Sequence, residues 1–255
     1  MTFEFEVEKV LQNYRSNKKF NLTRLKAETF VENLRDWSEL KNLGEIEQWF
    51  LEMKKNCAME VNKIPLKDLR KWSIKSNQAS IEHATKSFFS IIGLRISNTA
   101  FREVGISGWD QPILKEKNNN GGIVGIIRKK TNSIPYYLLE AKAEPGNPDI
   151  IQLSPCFQAT YSNINQAHGG RKPNLHEIFT NTKKKNFKVL FNQLMSEDGG
   201  RLFKKKNRGM IIEVPEKFKI KMNENFIWLS LYQIKMLIKQ RSWVNPHVRS
   251  LISHL

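Results

Sequence analysis

The stretch Tyr136-Tyr137-Leu138-Leu139-Glu140-Ala141-Lys142-Ala143-Glu144-Pro145-Gly146-Asn147 sets the reading of this chain. Strand alternation places Glu140, Lys142 and Glu144 on one face and Leu139, Ala141 and Ala143 on the other. Pro-Gly-Asn is turn chemistry and ends the strand. Outward from it, SFFSIIGLRISN (87–98), GGIVGIIRKK (121–130) and GMIIEVPE (209–216) are further short β-rich or apolar runs bounded by Gly, Pro or Asn. Loops rich in turn formers, notably Lys117–Gly122 and Glu144–Pro148, separate them. Upstream, Phe30, Leu34, Trp37, Leu40, Leu43, Ile46, Phe50 and Met53 recur at three- and four-residue steps, which predicts helix from Thr29 to Asn56 with a break at Gly44. Phe3 to Tyr14 carries a shorter stripe, and Ile64–Leu69 reads as a turn into a short helix. Helical character returns at Asn186–Met195 and Phe226–Arg241. The expectation is an α+β protein: a helical N-terminal region over residues 1–75, packed on a mixed, mostly antiparallel sheet unit over residues 76–255.

The composition narrows the class. A hydrophobic fraction of 40% and a charged fraction of 26% describe an ordinary folded protein. Cys57 and Cys156 are far apart and share no metal-ligand spacing, which favours a reducing compartment. No apolar run reaches the roughly 18 residues of a membrane helix, and MTFEFEVEK has none of the blocks of a signal peptide. A cytoplasmic protein without membrane partners is the expectation. Lys and Arg number 42 against 25 acidic residues, giving +17, a balance that attracts anions. The runs Lys183–Lys185 and Lys204–Lys206 carry part of it. No zinc-finger spacing, aromatic RNA-binding signature or helix-turn-helix accompanies them, so nucleic-acid binding rests on charge alone and is not expected.

Generic catalytic motifs are absent. There is no phosphate-binding G-x-x-x-x-G-K-[ST], no G-x-G-x-x-G after a strand, no H-E-x-x-H and no G-x-S-x-G. The five histidines are not spaced as a metal set, and neither metal nor cofactor is expected. What remains is polar density between Tyr136 and Gly170. Carboxylate, ammonium and carboxylate at two-residue steps hold one another ionised, and a lysine between two acids can serve as proton donor or charge clamp; a solvated charge ladder uses the same spacing. Gln152, Gln158, Thr160, Ser162, Asn163 and His168 follow. Such neutral groups suit sugar hydroxyls or a base edge, or the local backbone of a turn-rich loop.

These residues, read in order, resemble a known family. His83 before Ser87–Gly93, Glu103, Trp109–Leu114 and Gly122–Gly125 resemble the NDP-hexose 2,3-dehydratases. The nearest matches are Ala141–Asn147, Gln152–Pro155 with Gln158–Thr160, Ser162-Asn163 and His168–Gly170. Trp228–Gln233, Val244-Asn245 and Arg249–Leu251 continue the likeness, which runs in consistent order from about Leu34 to Leu255.

The resemblance implies a Nudix-like α+β unit that eliminates water, since the clustered helical glutamates of Nudix hydrolases are missing. It implies a lyase acting on dTDP-4-keto-6-deoxyhexose in deoxysugar biosynthesis, without cofactor, whose product passes to a 3-ketoreductase. Lys142, Glu144 and His168 are the catalytic candidates, and His83, Arg95, Trp109, Gln111, Asn147, Gln158, Thr160, Ser162 and Asn163 the substrate contacts. Arg95 suits a diphosphate as a bidentate donor, and Trp109 and Phe89 suit stacking. Glu140 stands where the family pattern has Gln, so no role transfers to it. The family carries two such units in tandem and this chain has the length of one, so a homodimer is expected, with Phe226–Leu229 and Leu251-Ile252 as candidate contacts. The alternative is a non-catalytic nucleotide-sugar or anionic-ligand binding module.

Overall fold

The computed structural model describes residues 1–15, 22–75, 80–86, 88–98, 107–116, 121–166, 172–182, 187–196, 200–239 and 242–255. Glu103, Ser87, His168, Gly169, Gly170 and Lys183–Lys185 lie outside them. The chain opens with three helices, α1 (Phe3–Arg15), α2 (Arg24–Glu32) and α3 (Leu43–Lys55). Thr23 caps α2 by accepting the Lys26 N–H. Asn42 and Glu45 form a reciprocal capping box that starts α3. The helix break therefore lies across 33–42, and Gly44 sits in the first turn of α3, contrary to the break expected there. A capping box is a stronger boundary signal than a glycine near a helix end, where little backbone order is at stake.

A short 3-10 turn at Leu66–Asp68 leads into β1 (Trp72–Lys75), so the helical reading of the first 75 residues ends well before that point. With β2 (Ser80–His83), β3 (Ser90–Ile96) and β4 (Trp109–Lys115), β1 forms an antiparallel four-stranded sheet in sequence order. The larger sheet contains β5 (Gly122–Thr131), β6 (Ile134–Ala143), β7 (Ile151–Pro155), β8 (Phe157–Thr160), β9 (Lys188–Met195), β10 (Asn207–Val214) and β11 (Phe226–Leu229). Its main path is β11-β6-β5-β10-β9, and among these pairs β10 with β5 is parallel. The protein is α+β.

The path of β7 and β8 shapes the site. Asn132 and Ser133, both in the left-handed region (φ 50 and 68), turn β5 into β6. The two strands pair only from this turn to Ile127 and Leu138. Beyond that they part, and one continuous segment enters the gap, β7 on β6 and β8 on β5. Cys156 sits at the fork, its thiol donating to the Gly125 carbonyl at 3.5 Å. Gly125 is required there, because a Cβ would lie 2.1 Å from the Phe179 ring.

Each face of this sheet is covered. Val124, Ile126, Tyr137, Leu139 and Ala141 form a core with Phe50 of α3 and with α6 (Leu231–Ile238) and α7 (Pro246–Ile252). Ile123, Ile127, Leu138 and Phe157 face the other side with Ile178 and Phe179 of α5 (His176–Thr180), while α4 (Tyr161–Ile164) follows β8. A third cluster holds Phe3, Val7, Ala27 and Val31 against Ile134 and Tyr136, seating α1 and α2 on the β5–β6 turn.

Three further readings are corrected. Lys188–Met195 is strand β9 where helix was expected over Asn186–Met195, since a short apolar run carries no period that separates the two. Phe226–Leu229 is strand β11, with α6 starting only after Ser230 caps it. Ile227, Leu229, Leu251 and Ile252 are at most 7% exposed and belong to the core, so they are no surface for a second copy.

Candidate active site

On β6 the alternation predicted from sequence holds. Leu138 packs on the α5 side, and Glu140 and Lys142 share its face by two-residue steps. Lys142 Nζ lies 2.8 Å from Glu144 Oε1, both groups about one-quarter to one-third exposed (26% and 32%). Here β6 is flanked on both sides. Glu140 is in register with Ser154 of β7 and Phe226 of β11, and Lys142 with Gln152. Asn225 Nδ2 donates to Glu140 Oε1 at 3.0 Å. Burial holds the Glu140 carboxyl above the usual range, with Lys142 and Asn225 opposing and Glu144 adding to the rise. The Ser154 hydroxyl is buried with no hydrogen-bond partner among the described residues. Gln152 is fixed from beyond the strand, its amide donating to the Ser242 carbonyl at 2.6 Å and its oxygen accepting from Asn245 at 3.3 Å.

The row thus offers an ammonium paired with one carboxylate and, one step along the strand, a second carboxyl whose burial favours the neutral acid. Such an arrangement can take a proton at one point and give one at another. Glu140 was visible in the alternation, but its acid character comes from β7 and β11, which sequence spacing does not bring beside it.

The other candidates divide by position. Asn147 closes the turn from β6 to β7, its Nδ2 donating to the Ile150 carbonyl at 3.0 Å. Gln158 is in register with Val124 and Thr160 with Gly122. The Gln158 amide oxygen is buried without a partner among the described residues. The Thr160 hydroxyl accepts the Asn163 N–H at 3.3 Å and caps α4; Ser162 is half-buried and Asn163 exposed. His83, Arg95, Trp109 and Gln111 stand on the four-stranded sheet and are engaged within it. His83 Nδ1 lies 2.9 Å from the Thr85 hydroxyl, and Trp109 Nε1 donates to Gln111 at 2.6 Å. Arg95, 84% exposed, donates through Nε and Nη2 to Asp110 at 3.1 and 3.0 Å. Lys142 and Glu144 are brought together; the other four stand on a different sheet.

A family model described as NDP-hexose 2,3-dehydratase matches residues 43–255. The chain belongs to that family. Curated relatives include dTDP-4-dehydro-6-deoxy-alpha-D-glucopyranose 2,3-dehydratases of Amycolatopsis orientalis (33% identical, 83% of this chain, 44% of the relative) and Saccharopolyspora spinosa (34% identical, 80% and 40%). The chain thus spans less than half the length of these relatives. Among solved structures, the C. elegans Ap4A hydrolase is 12% identical, with a TM-score of 0.31 over 52% of this chain and 95% of its own.

Residues before 43 lie outside the family match, yet α2 is bound to the family's sheet by a buried charge cluster that the sequence did not announce. Arg128 of β5 is fully buried. Its Nη2 lies 2.6 Å from Glu28 and 3.8 Å from Glu32, its Nη1 bonds Glu213 of β10, and its Nε donates to the Tyr137 hydroxyl at 3.2 Å. That hydroxyl donates to Glu32 at 3.1 Å, and Lys130 also binds Glu28. Arg128 holds Glu28 below its ordinary value against burial, whereas burial pushes Glu32 up to about 7 in spite of Arg128. A carboxyl that binds its proton more tightly when folded contributes stability below its unfolded value, and that contribution is lost as pH rises through about 7. Relative to Glu32→Gln, the parent should therefore lose stability between pH 5 and pH 8, read by thermal melts at both; parallel curves would remove Glu32 as the titrating group.

Proposed function

We propose that this chain is a nucleotide-sugar 2,3-dehydratase, a lyase acting on a dTDP-4-keto-6-deoxyhexose. The observation that carries the reading is the Glu140–Lys142–Glu144 row on β6, in a chain whose family match runs through it. The ketone at carbon 4 acidifies the hydrogen on carbon 3. A base of the row removes that proton, the electron pair forms the bond between carbons 2 and 3, and the carbon-2 hydroxyl leaves as water with a proton from an acid of the row. Donors beside the ketone oxygen stabilise the charge that develops there. The enol product rearranges to a 3,4-diketone, which a 3-ketoreductase consumes.

In this reading Lys142 and Glu144 are the first catalytic candidates and His168 the next. His83, Arg95, Trp109, Gln111, Asn147, Gln158, Thr160, Ser162 and Asn163 hold the substrate. The helices within residues 1–75 pack on a Nudix-like unit at 76–255, and the protein works in the cytoplasm as a homodimer. No helix among the described residues is long and apolar enough to cross a membrane.

The test is incubation with nucleotide 4-keto sugars and a reductase, products read by mass spectrometry and assembly by light scattering. The expected product is the 2-deoxysugar, with the diphosphate intact and the rate unchanged by chelator. Magnesium-dependent release of a nucleoside monophosphate would overturn the assignment, and a 30 kDa particle with full turnover would remove the dimer.

A further inference from the structure

Trp72, His83, Phe88 and Phe89 gather at one end of the four-stranded sheet. The segment 84–89 between β2 and β3 carries Phe88 and Phe89, 43% and 40% exposed. The Phe88 ring lies 4.6 Å from His83, edge-on, and the Phe89 ring 5.2 Å from Trp72 behind it. A protein normally buries such rings or uses them, and here they wall a cavity of about 410 Å³. Ser80 is in register with Ile92, and Glu82 with Ser90, which is in turn in register with Lys115. Ser80, Glu82, Ser90, Ile92 and Lys115 all line the cavity, so one face of β2–β4 is its floor.

The cavity also has a charge pattern. Its lining includes Lys86, Lys115, Glu82 and Glu116. Glu116 is neutralised by Lys205 at 2.7 Å, and Glu82 accepts from the Ser80 hydroxyl at 3.2 Å. Among the described residues, no carboxylate forms an ion pair with Lys86 or Lys115. The ligand this selects is flat, aromatic and anionic: rings for a planar face, hydroxyls and a carboxylate for polar edge groups, two ammonium groups for phosphate oxygens.

We propose that this cavity is the nucleoside diphosphate subsite, with the base against Phe88 and Phe89 and the diphosphate on Lys86 and Lys115. The ligand class rests on the nucleotide-sugar reading above; the place does not. Of the substrate contacts named from sequence, His83 and the stacking candidate Phe89 line this cavity. Arg95, its fork already filled by Asp110, sits at the opposite end of the β3–β4 pair from Lys115. Nucleotide recognition then belongs to the small sheet and proton transfer to the large one.

The test is titration of intrinsic tryptophan fluorescence with dTDP, thymidine and inorganic pyrophosphate, using the full chain. Trp72 stands 5.2 Å from Phe89, so occupancy should alter its emission, and Trp72→Phe should remove that signal. The expected result is saturable dTDP binding, tighter than either fragment. Phe88→Ala and Phe89→Ala should each weaken it about tenfold, the scale of one lost stacking partner. Phe89→Leu, which keeps the apolar bulk, should weaken it too. Lys86→Ala with Lys115→Ala should weaken dTDP and flatten its salt dependence. Lys142→Ala should bind dTDP like the parent.

Binding with this variant pattern but no turnover of any nucleotide sugar sustains the subsite and removes the dehydratase reading. Turnover with dTDP affinity unchanged in all the cavity variants places the nucleotide elsewhere and overturns the subsite. So does pyrophosphate binding as tightly as dTDP, or an oligothymidylate bound through these residues when dTDP is not.

Discussion

Replacing Arg128 with alanine is expected to destabilise the protein by about 3–5 kcal/mol, the scale of breaking a buried ion pair from one side. The substitution removes the cation facing Glu28, Glu32 and Glu213 and leaves carboxylates in a site sealed from water. Glu32 escapes by taking a proton, but Glu28 keeps only Lys130 and the half-exposed Arg24. Because Glu28 and Glu32 belong to α2, the loss should first free the N-terminal helices from the β5–β6 turn. Chemical denaturation and hydrogen exchange over residues 3–32 read both effects. A shift of less than about 1 kcal/mol, the value of an exposed pair, would show that the cluster contributes nothing beyond surface electrostatics. Arg128→Met is the informative companion, since a buried ionic group replaced by apolar bulk can recover part of the loss. If methionine matches alanine, the uncompensated carboxylates set the cost; if it recovers, the missing volume does.

Lys142→Ala and Glu144→Gln are each expected to lower turnover at least about 100-fold, the lower end of what a positioned proton-transfer group supplies. Both side chains are partly solvent-accessible and their ion pair has two members, so either variant should keep its melting temperature within a few degrees. Near-parent rates would remove the residue concerned from the mechanism. Glu140→Gln separates the roles. It keeps the volume and can still meet Asn225, but it cannot release a proton; a lost alkaline limb in the pH–rate profile would assign that limb to Glu140.

The strands were legible where the sequence alternates between dissimilar residues. Glu140, Lys142 and Glu144 announced a face, and that face exists, because a strand's two-residue period is a property of the local backbone. Short apolar runs bounded by turn formers gave β3, β5 and β10, and the three- and four-residue steps gave α1 and α3. Local pattern failed at Asn186–Met195, where the apolar residues carry no decisive period and β10 supplies the hydrogen bonds that make a strand. It failed also at Gly44, where the capping pair Asn42–Glu45 outweighed the glycine.

Of the candidate site, the ion pair Lys142–Glu144 was readable because both members lie on one strand end. The elevation of Glu140 was not, since it depends on Ser154, Phe226 and Asn225 arriving from elsewhere in the chain. The charge cluster was equally hidden, because Glu28 and Arg128 are 100 residues apart. Phe88 and Lys86 were ordinary letters until the fold set them beside Phe89, Ser80 and Ser90.

The sequence by itself determined the α+β class, the charged face of β6, the family pattern and the chain's excess of cations. These follow from local periodicity, composition and ordered motifs, none of which needs a distant residue. Only the tertiary structure decided that β7 and β8 fill the gap between β5 and β6, that Arg128 is sealed beneath α2, and that the aromatic cavity stands on a different sheet from the charged row of β6. Each depends on which distant segments meet, and burial, desolvation and charge pairing come into being only when they do.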